Sequence, residues 1–171
     1  MWWRLPRVDF LRNRGEQNRK ALKKIVDSGK VPGIIAYVDP EPIGWCAVGP
    51  RDEYPALERS RLLKKVDDRP VWSVVCFFVA KRFRHKGITL KLLQSAIRYV
   101  EEKGGGIVEG YPKDTAGKPA PDPFVFTGVV SSFQQAGFLE ISRRSETRPI
   151  MRYQIAQNIK EIDDRLGEGD F

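Results

Sequence analysis

Residues 71–104, VWSVVCFFVAKRFRHKGITLKLLQSAIRYVEEKG, constrain the fold more than any other part of this chain. The stretch opens with nine mostly apolar residues, 71–79, whose Val and Phe content suits a strand buried on both faces. Four cations follow within six residues, Lys81, Arg82, Arg84 and Lys86, and then Gly87. Beyond it Leu90, Leu93, Ile97 and Val100 recur at i, i+3, i+7 and i+10, the spacing of one helix face. Gly104, Gly105 and Gly106 stop that helix. A strand, a tight basic turn and a helix start have the parts of an anion site. The first N–H groups of a helix lack intrahelical partners, the helix dipole favours negative charge there, and a glycine lets a phosphate approach the backbone. The same spacing also fits a solvated basic turn on an ordinary strand–helix unit.

The run Arg84-His85-Lys86-Gly87-Ile88-Thr89, after a strand ending Phe77-Phe78-Val79, resembles the acyl-CoA signature of the GNAT superfamily of acetyl-CoA-dependent N-acyltransferases. That signature reads Gln/Arg-x-x-Gly-x-Gly/Ala. Arg84 and Gly87 match its first two fixed positions, and Thr89 stands where the third is usually Gly or Ala. Phe133-Gln134-Gln135-Ala136-Gly137-Phe138 is similar to the family's second signature, usually Tyr-Glu-Lys-x-Gly-Phe. The resemblance implies an α/β fold of the mixed α+β kind. A central, mixed but mostly antiparallel sheet with one splayed strand pair would be flanked by helices in a single domain, residues 1–171. It also implies acetyl-CoA as cosubstrate and direct attack by a primary amine of a small molecule or peptide. The pantetheine arm would pair like an extra strand with the backbone of Phe77, Phe78 and Val79. The pyrophosphate would meet the N–H groups of Arg84, His85, Lys86, Gly87, Ile88 and Thr89.

Proton chemistry is less legible. The family's common general acid, a tyrosine, falls at Phe133, which has no O–H to give. Its frequent base, a carboxylate on the central strand, falls where Val74, Val75 and Cys76 stand. The nearest replacements are Glu109, in a short strand over residues 106–110, and Tyr111 just beyond it. A glutamate at an apolar strand end has the environment that raises a carboxyl pKa and makes a base, and Tyr111 would take the acid role. The alternative is a solvated glutamate and a loop-packing tyrosine. Asp52, Glu53, Asp67 and Asp68 are further carboxylate candidates.

At 171 residues, 41% hydrophobic and 30% charged, the chain has the make-up of a folded globular domain. No apolar run approaches the roughly 20 residues that span a bilayer, and the N-terminus lacks a secretory apolar core, so the expected location is cytoplasmic, with no membrane partner. A net charge of +8 fits an anionic ligand such as CoA, a nucleic acid, or simply an excess of Lys and Arg on solvated faces. Aromatic residues do not interleave with the basic run, which weighs against nucleic acid. Cys46 and Cys76 show no C-x-x-C spacing and His85 is the single histidine, so no metal is expected. Both cysteines read as buried and inert. A homodimer is left open. Two alternatives to a transferase remain: a non-catalytic acyl-CoA-binding module, and a basic nucleic-acid-binding domain.

Along the rest of the chain, residues 10–30 read as a helix. Strands follow at 33–38 and 43–48 across the turn Asp39-Pro40-Glu41-Pro42. The first strand usual in the family is either shortened to residues 2–5 or absent, the chain then beginning later than its relatives do. Residues 49–70 form a long connection, helical over 56–66, that either borders the acceptor site or packs on the sheet. Residues 111–123, with four prolines, read as an extended loop that either covers the active-site mouth or merely connects. A helix at 129–136, strands at 138–143 and 149–155, and a polar helix at 157–166 within a tail over 156–171 complete the expectation.

Overall fold

The computed structural model describes residues 1–118 and 120–156. Five helices, α1 (Arg7–Arg12), α2 (Glu16–Asp27), α3 (Pro55–Glu58), α4 (Ile88–Glu102) and α5 (Val130–Gln135), accompany six strands. The strands are β1 (Gly33–Val38), β2 (Glu41–Pro50), β3 (Trp72–Val79), β4 (Ile107–Gly110), β5 (Leu139–Arg143) and β6 (Pro149–Gln154). They form one sheet in the order β1-β2-β3-β4-β6-β5. All neighbours are antiparallel except β3 and β4, which α4 connects as a crossover. This is the mixed, helix-flanked sheet expected from the sequence.

Alternation along β3 explains the two layers. Val74 joins a core with Cys46, Val48, Val108, Phe133, Phe138 and Met151, against which α4 lays Leu92, Leu93, Ala96 and Val100. Its neighbour Val75 faces the other way, into a smaller core with Tyr54, Leu57, Leu63, Tyr111 and Ile150. The apolar face of α4 is therefore rotated from the expected one: Leu90 and Ile97 pack only at its margin. Residues 49–70 supply the second layer. Only Pro55–Glu58 of the expected helix forms, because the rest is held by tertiary contacts rather than by helical hydrogen bonds. Arg144 donates to the carbonyls of Leu62, Lys64 and Lys65, and Arg51 to that of Leu63.

Three further differences concern the edges. Residues 2–5 form turns, so no strand precedes β1 among the described residues. The expected helix over 10–30 breaks at Asn13-Arg14-Gly15 into α1 and α2, with Gly15 at φ 71°, and neither helix has a fully buried residue. The helix expected at 157–166 lies outside the described residues.

The site is set by where β3 and β4 part. They pair only at Trp72↔Val108, Ser73↔Glu109 and Val74↔Gly110, while β3 continues to Val79. Gly110, the last residue of β4, leaves no room for a side chain: a Cβ there would lie 2.1 Å from the Phe133 ring. That close approach seats α5 against the diverging strands. The loop after β4 leaves at Lys113 and returns beside it, with Lys113 N–H donating to Gly128 O (2.8 Å) and Val130 N–H to Lys113 O (3.2 Å).

Candidate active site

Beyond Val74 the open edge of β3 borders a cleft of about 510 Å³. Phe77, Phe78, Val79, Arg84, His85, Gly87, Ile88 and Thr89 all line it. Lys86, the other residue of the turn, is exposed, with its ammonium 5.6 Å from the centre of the Phe83 ring. The facing wall comes from the returning loop and α5: Val125, Phe126, Gly128, Ser132 and Gln135.

The turn is built to present donors. His85 (φ 59°) and Gly87 (φ 73°) are both left-handed, and Gly87 is the N-cap of α4. Holding a histidine there costs on the order of 1 kcal/mol, which the surrounding structure must offset. No side chain caps the helix, and its first intrahelical bond is Lys91 N–H to Gly87 O. The N–H groups of Ile88, Thr89 and Leu90 therefore have no helical acceptor, beside a turn that carries Arg84, His85 and Lys86. Every polar feature of this corner suits an anion.

The chain itself covers the open edge of β3. Phe77 N–H donates to Phe126 O (2.6 Å), and Arg84 Nε donates to Val79 O (3.0 Å). The approach of Phe126 was not anticipated. Its signal was the apolar run Phe124-Val125-Phe126 directly after the proline-rich stretch, a composition too apolar for a purely solvated loop.

Phe133 is fully buried, edge-on to Phe77 (6.2 Å) and Phe138 (4.9 Å). Its neighbours Ser132 and Gln135, not Phe133, line the cleft.

Glu109 and Tyr111 are brought together, but away from the cleft, in a saturated network on the α3 side of the sheet. Tyr111 O–H donates to Glu109 Oε1 (2.6 Å). Having spent its only hydrogen, the tyrosine oxygen accepts from Arg51 Nη1 (2.6 Å) and from Ser73 O–H (2.8 Å). Arg51 Nη1 also reaches Glu109 Oε1 (2.8 Å), and Arg152 Nε reaches Glu109 Oε2 (2.7 Å). Glu109 is 1% exposed and Tyr111 0%. Burial, and then the Glu109 carboxylate, push the Tyr111 hydroxyl well above its ordinary pKa. The pair thus differs both from the poised base and acid expected at an apolar strand end and from a solvated glutamate: both carboxylate oxygens already face guanidinium groups. Arg51 and Arg152 lie far apart in sequence from Glu109, so no local signal pointed to them.

Arg152 extends the network to Asp67 through Nη1 (2.7 Å) and Nη2 (3.1 Å), pinning residues 49–70 to β6. The Arg152 bonds, and then those from Arg69, hold the Asp67 carboxyl well below the usual range. A carboxylate with a lowered folded pKa stabilises the fold above its unfolded value near 4, and that contribution fades as pH falls toward the folded value. Asp67→Asn is accordingly expected to lower the melting temperature at pH 7, and the gap from the parent protein should narrow between about pH 5 and pH 2. Melts across that range check this; a gap independent of pH would show that the ion pair does not contribute.

Among the described residues no group of three or more His, Cys, Asp or Glu side chains is placed to hold a metal, and no helix is long and apolar enough to cross a membrane.

The model of the acetyltransferase (GNAT) family matches residues 1–111. No curated protein matches the sequence. Solved structures with the same fold include ribosomal-protein-alanine N-acetyltransferase from Brucella melitensis (16% identity, TM-score 0.53, 82% of this chain and 78% of that one). An acetyltransferase of the GNAT family from Streptococcus pneumoniae is 13% identical, with TM-score 0.53 over 84% and 78% of the two chains. PaiA N-acetyltransferase from Thermoplasma acidophilum, in complex with coenzyme A, is 17% identical, with TM-score 0.52 over 86% and 76%. At these identities the structures speak for the fold.

Proposed function

Since this chain belongs to the acetyltransferase (GNAT) family, we propose that it transfers an acetyl group from acetyl-CoA to a primary amine, with the cleft beside β3 as the acetyl-CoA site. The observation that carries this is the uncapped start of α4, with its unshared N–H groups and basic turn, at one end of that cleft. Ile88 and Thr89 would hold the diphosphate through backbone N–H groups, aided by the charges of Arg84, Lys86 and, when protonated, His85. Phe77, Phe78 and Val79 would hold the pantetheine arm along the edge of β3. An N–H offers one hydrogen, so pairing of the arm at Phe77 takes the place of the Phe126 carbonyl.

In the transfer, the amine nitrogen attacks the thioester carbon, a C–N bond forms, the C–S bond breaks with its electron pair going to sulfur, and CoA leaves as the thiol. No carboxylate is among the described residues lining the cleft. We therefore assign the amine proton to solvent and give Glu109 and Tyr111 a supporting part: they fix β4 and the segment beside it. Cys46 is no nucleophile, since burial pushes its thiol well up.

The missing carboxylate favours one second reading, acyl-CoA binding without transfer. Release of free thiol from acetyl-CoA, measured with a panel of amines and paired with calorimetry, separates the two. Amine-dependent release is expected; tight binding with no release from any amine would favour the binding module. A cytoplasmic location is part of this proposal.

A further inference from the structure

A second cavity, of about 480 Å³, lies on the other side of Phe126. Among the described residues, Phe126 alone lines both spaces. Its carbonyl caps Phe77 at the cleft, and its ring lies 6.4 Å from that of Trp3 in the second cavity. The remaining walls are largely apolar, Trp2, Trp3, Leu62 and Leu63, with Ser60 and, as the one charged residue among the described residues, Arg148.

Arg148, which is half-buried, differs from the two buried arginines. Arg51 and Arg152 each face carboxylates, but Arg148 has no acidic partner among the described residues. Its Nη1 donates to Thr127 Oγ1 (2.7 Å) and Tyr111 O (3.3 Å), which fixes the plane of the guanidinium. Nε and Nη2 have no acceptor in the described structure, leaving one two-toothed edge of the fork unused. Partial burial lowers the pKa of this group. The cavity thus combines mostly apolar walls with the unused edge of one guanidinium, and the ligand it suits brings an acceptor of negative charge. A planar carboxylate matches the side-on edge of a guanidinium.

We propose that this second cavity is the acceptor site, that its substrates are apolar or aromatic amino acids and related amino carboxylates, and that Arg148 binds their carboxylate. The proposal rests on reading the neighbouring cleft as the acetyl-CoA site. The amine of a substrate so anchored lies toward Phe126, the partition that acetyl-CoA displaces from Phe77, and there it attacks the thioester carbon as described above. The volume suits a ligand of this size.

The test compares acetylation of L-phenylalanine, L-tryptophan and L-leucine with that of the matching amines lacking the carboxylate, 2-phenylethylamine, tryptamine and isopentylamine. One charge-assisted pairing predicts kcat/KM higher for the amino acids by about 10- to 100-fold. Arg148→Gln should bring the ratio close to one, and Arg148→Lys, which keeps the charge but not the fork, should restore part of it. Acetyl-CoA affinity by calorimetry should be the same in all three proteins. Equal rates for both series in the parent protein, no acetylation of any amino acid while acetyl-CoA still binds, or a preference that survives Arg148→Gln would overturn the assignment. Failure of acetyl-CoA to bind the parent protein would instead overturn the reading of the cleft.

Discussion

Gly87→Glu is expected to weaken acetyl-CoA binding by about 10- to 100-fold while the protein stays folded. Gly87 sits at φ 73°, and a Cβ added there meets nothing within 4 Å, so no clash threatens the fold. The cost is conformational and electrostatic. A side chain either pays about 1–2 kcal/mol to remain left-handed or lets the turn relax to negative φ. Relaxation swings the first N–H groups of α4 away from the cleft, and 1.4 kcal/mol is already tenfold in affinity. The new carboxylate then faces the phosphates it should admit. Gly87→Ala carries the strain without the charge and should lose less. Calorimetry on both variants, with circular dichroism to verify folding, checks the order. Unchanged affinity in folded Gly87→Glu would remove the phosphates from this turn.

Glu109→Gln should cost stability rather than chemistry. The glutamate is the hub of a buried network: Arg51 and Tyr111 bond one oxygen and Arg152 the other. Neutralising it leaves two buried guanidinium groups short of charge, and breaking such a pair typically costs about 3–5 kcal/mol. For a domain of this size that is a drop of roughly 6–20 °C in melting temperature. A structural hub also makes a distinct kinetic signature. Turnover by the folded fraction should stay within a few-fold of the parent, with the same pH profile. A catalytic base would instead lose about 10²–10⁴-fold in kcat with stability kept. Thermal melts and kcat measured on one preparation distinguish the two. Retained stability with collapsed kcat would restore Glu109 as the base.

The strand–turn–helix was legible because its signals are local. Apolar run, basic turn, Gly87 and helical spacing all lie within residues 71–104, and the backbone contacts they imply depend little on side-chain identity. Phe133 was legible for a different reason: a phenyl ring has no proton to give wherever it lies. The proton chemistry around Glu109 was not legible. Whether a glutamate in a strand is a poised base or a saturated ion-pair partner depends on Arg51 and Arg152, placed beside it only by the sheet order. Arg148 illustrates the same point from the other side. Nothing in Arg-Pro-Ile marks it, and only the fold shows that it lines a cavity with one guanidinium edge unused. The short α3 likewise reflects tertiary override: carbonyls that a helix would have used internally go to Arg144 and Arg51 instead.

The most direct test of the account is a crystal structure of the protein grown with acetyl-CoA. The account predicts diphosphate oxygens within about 3 Å of the Ile88 and Thr89 N–H groups, and the pantetheine arm on β3 with Phe126 O withdrawn from Phe77 N–H. Diphosphate bound anywhere else, with the Phe77–Phe126 bond intact, would contradict it.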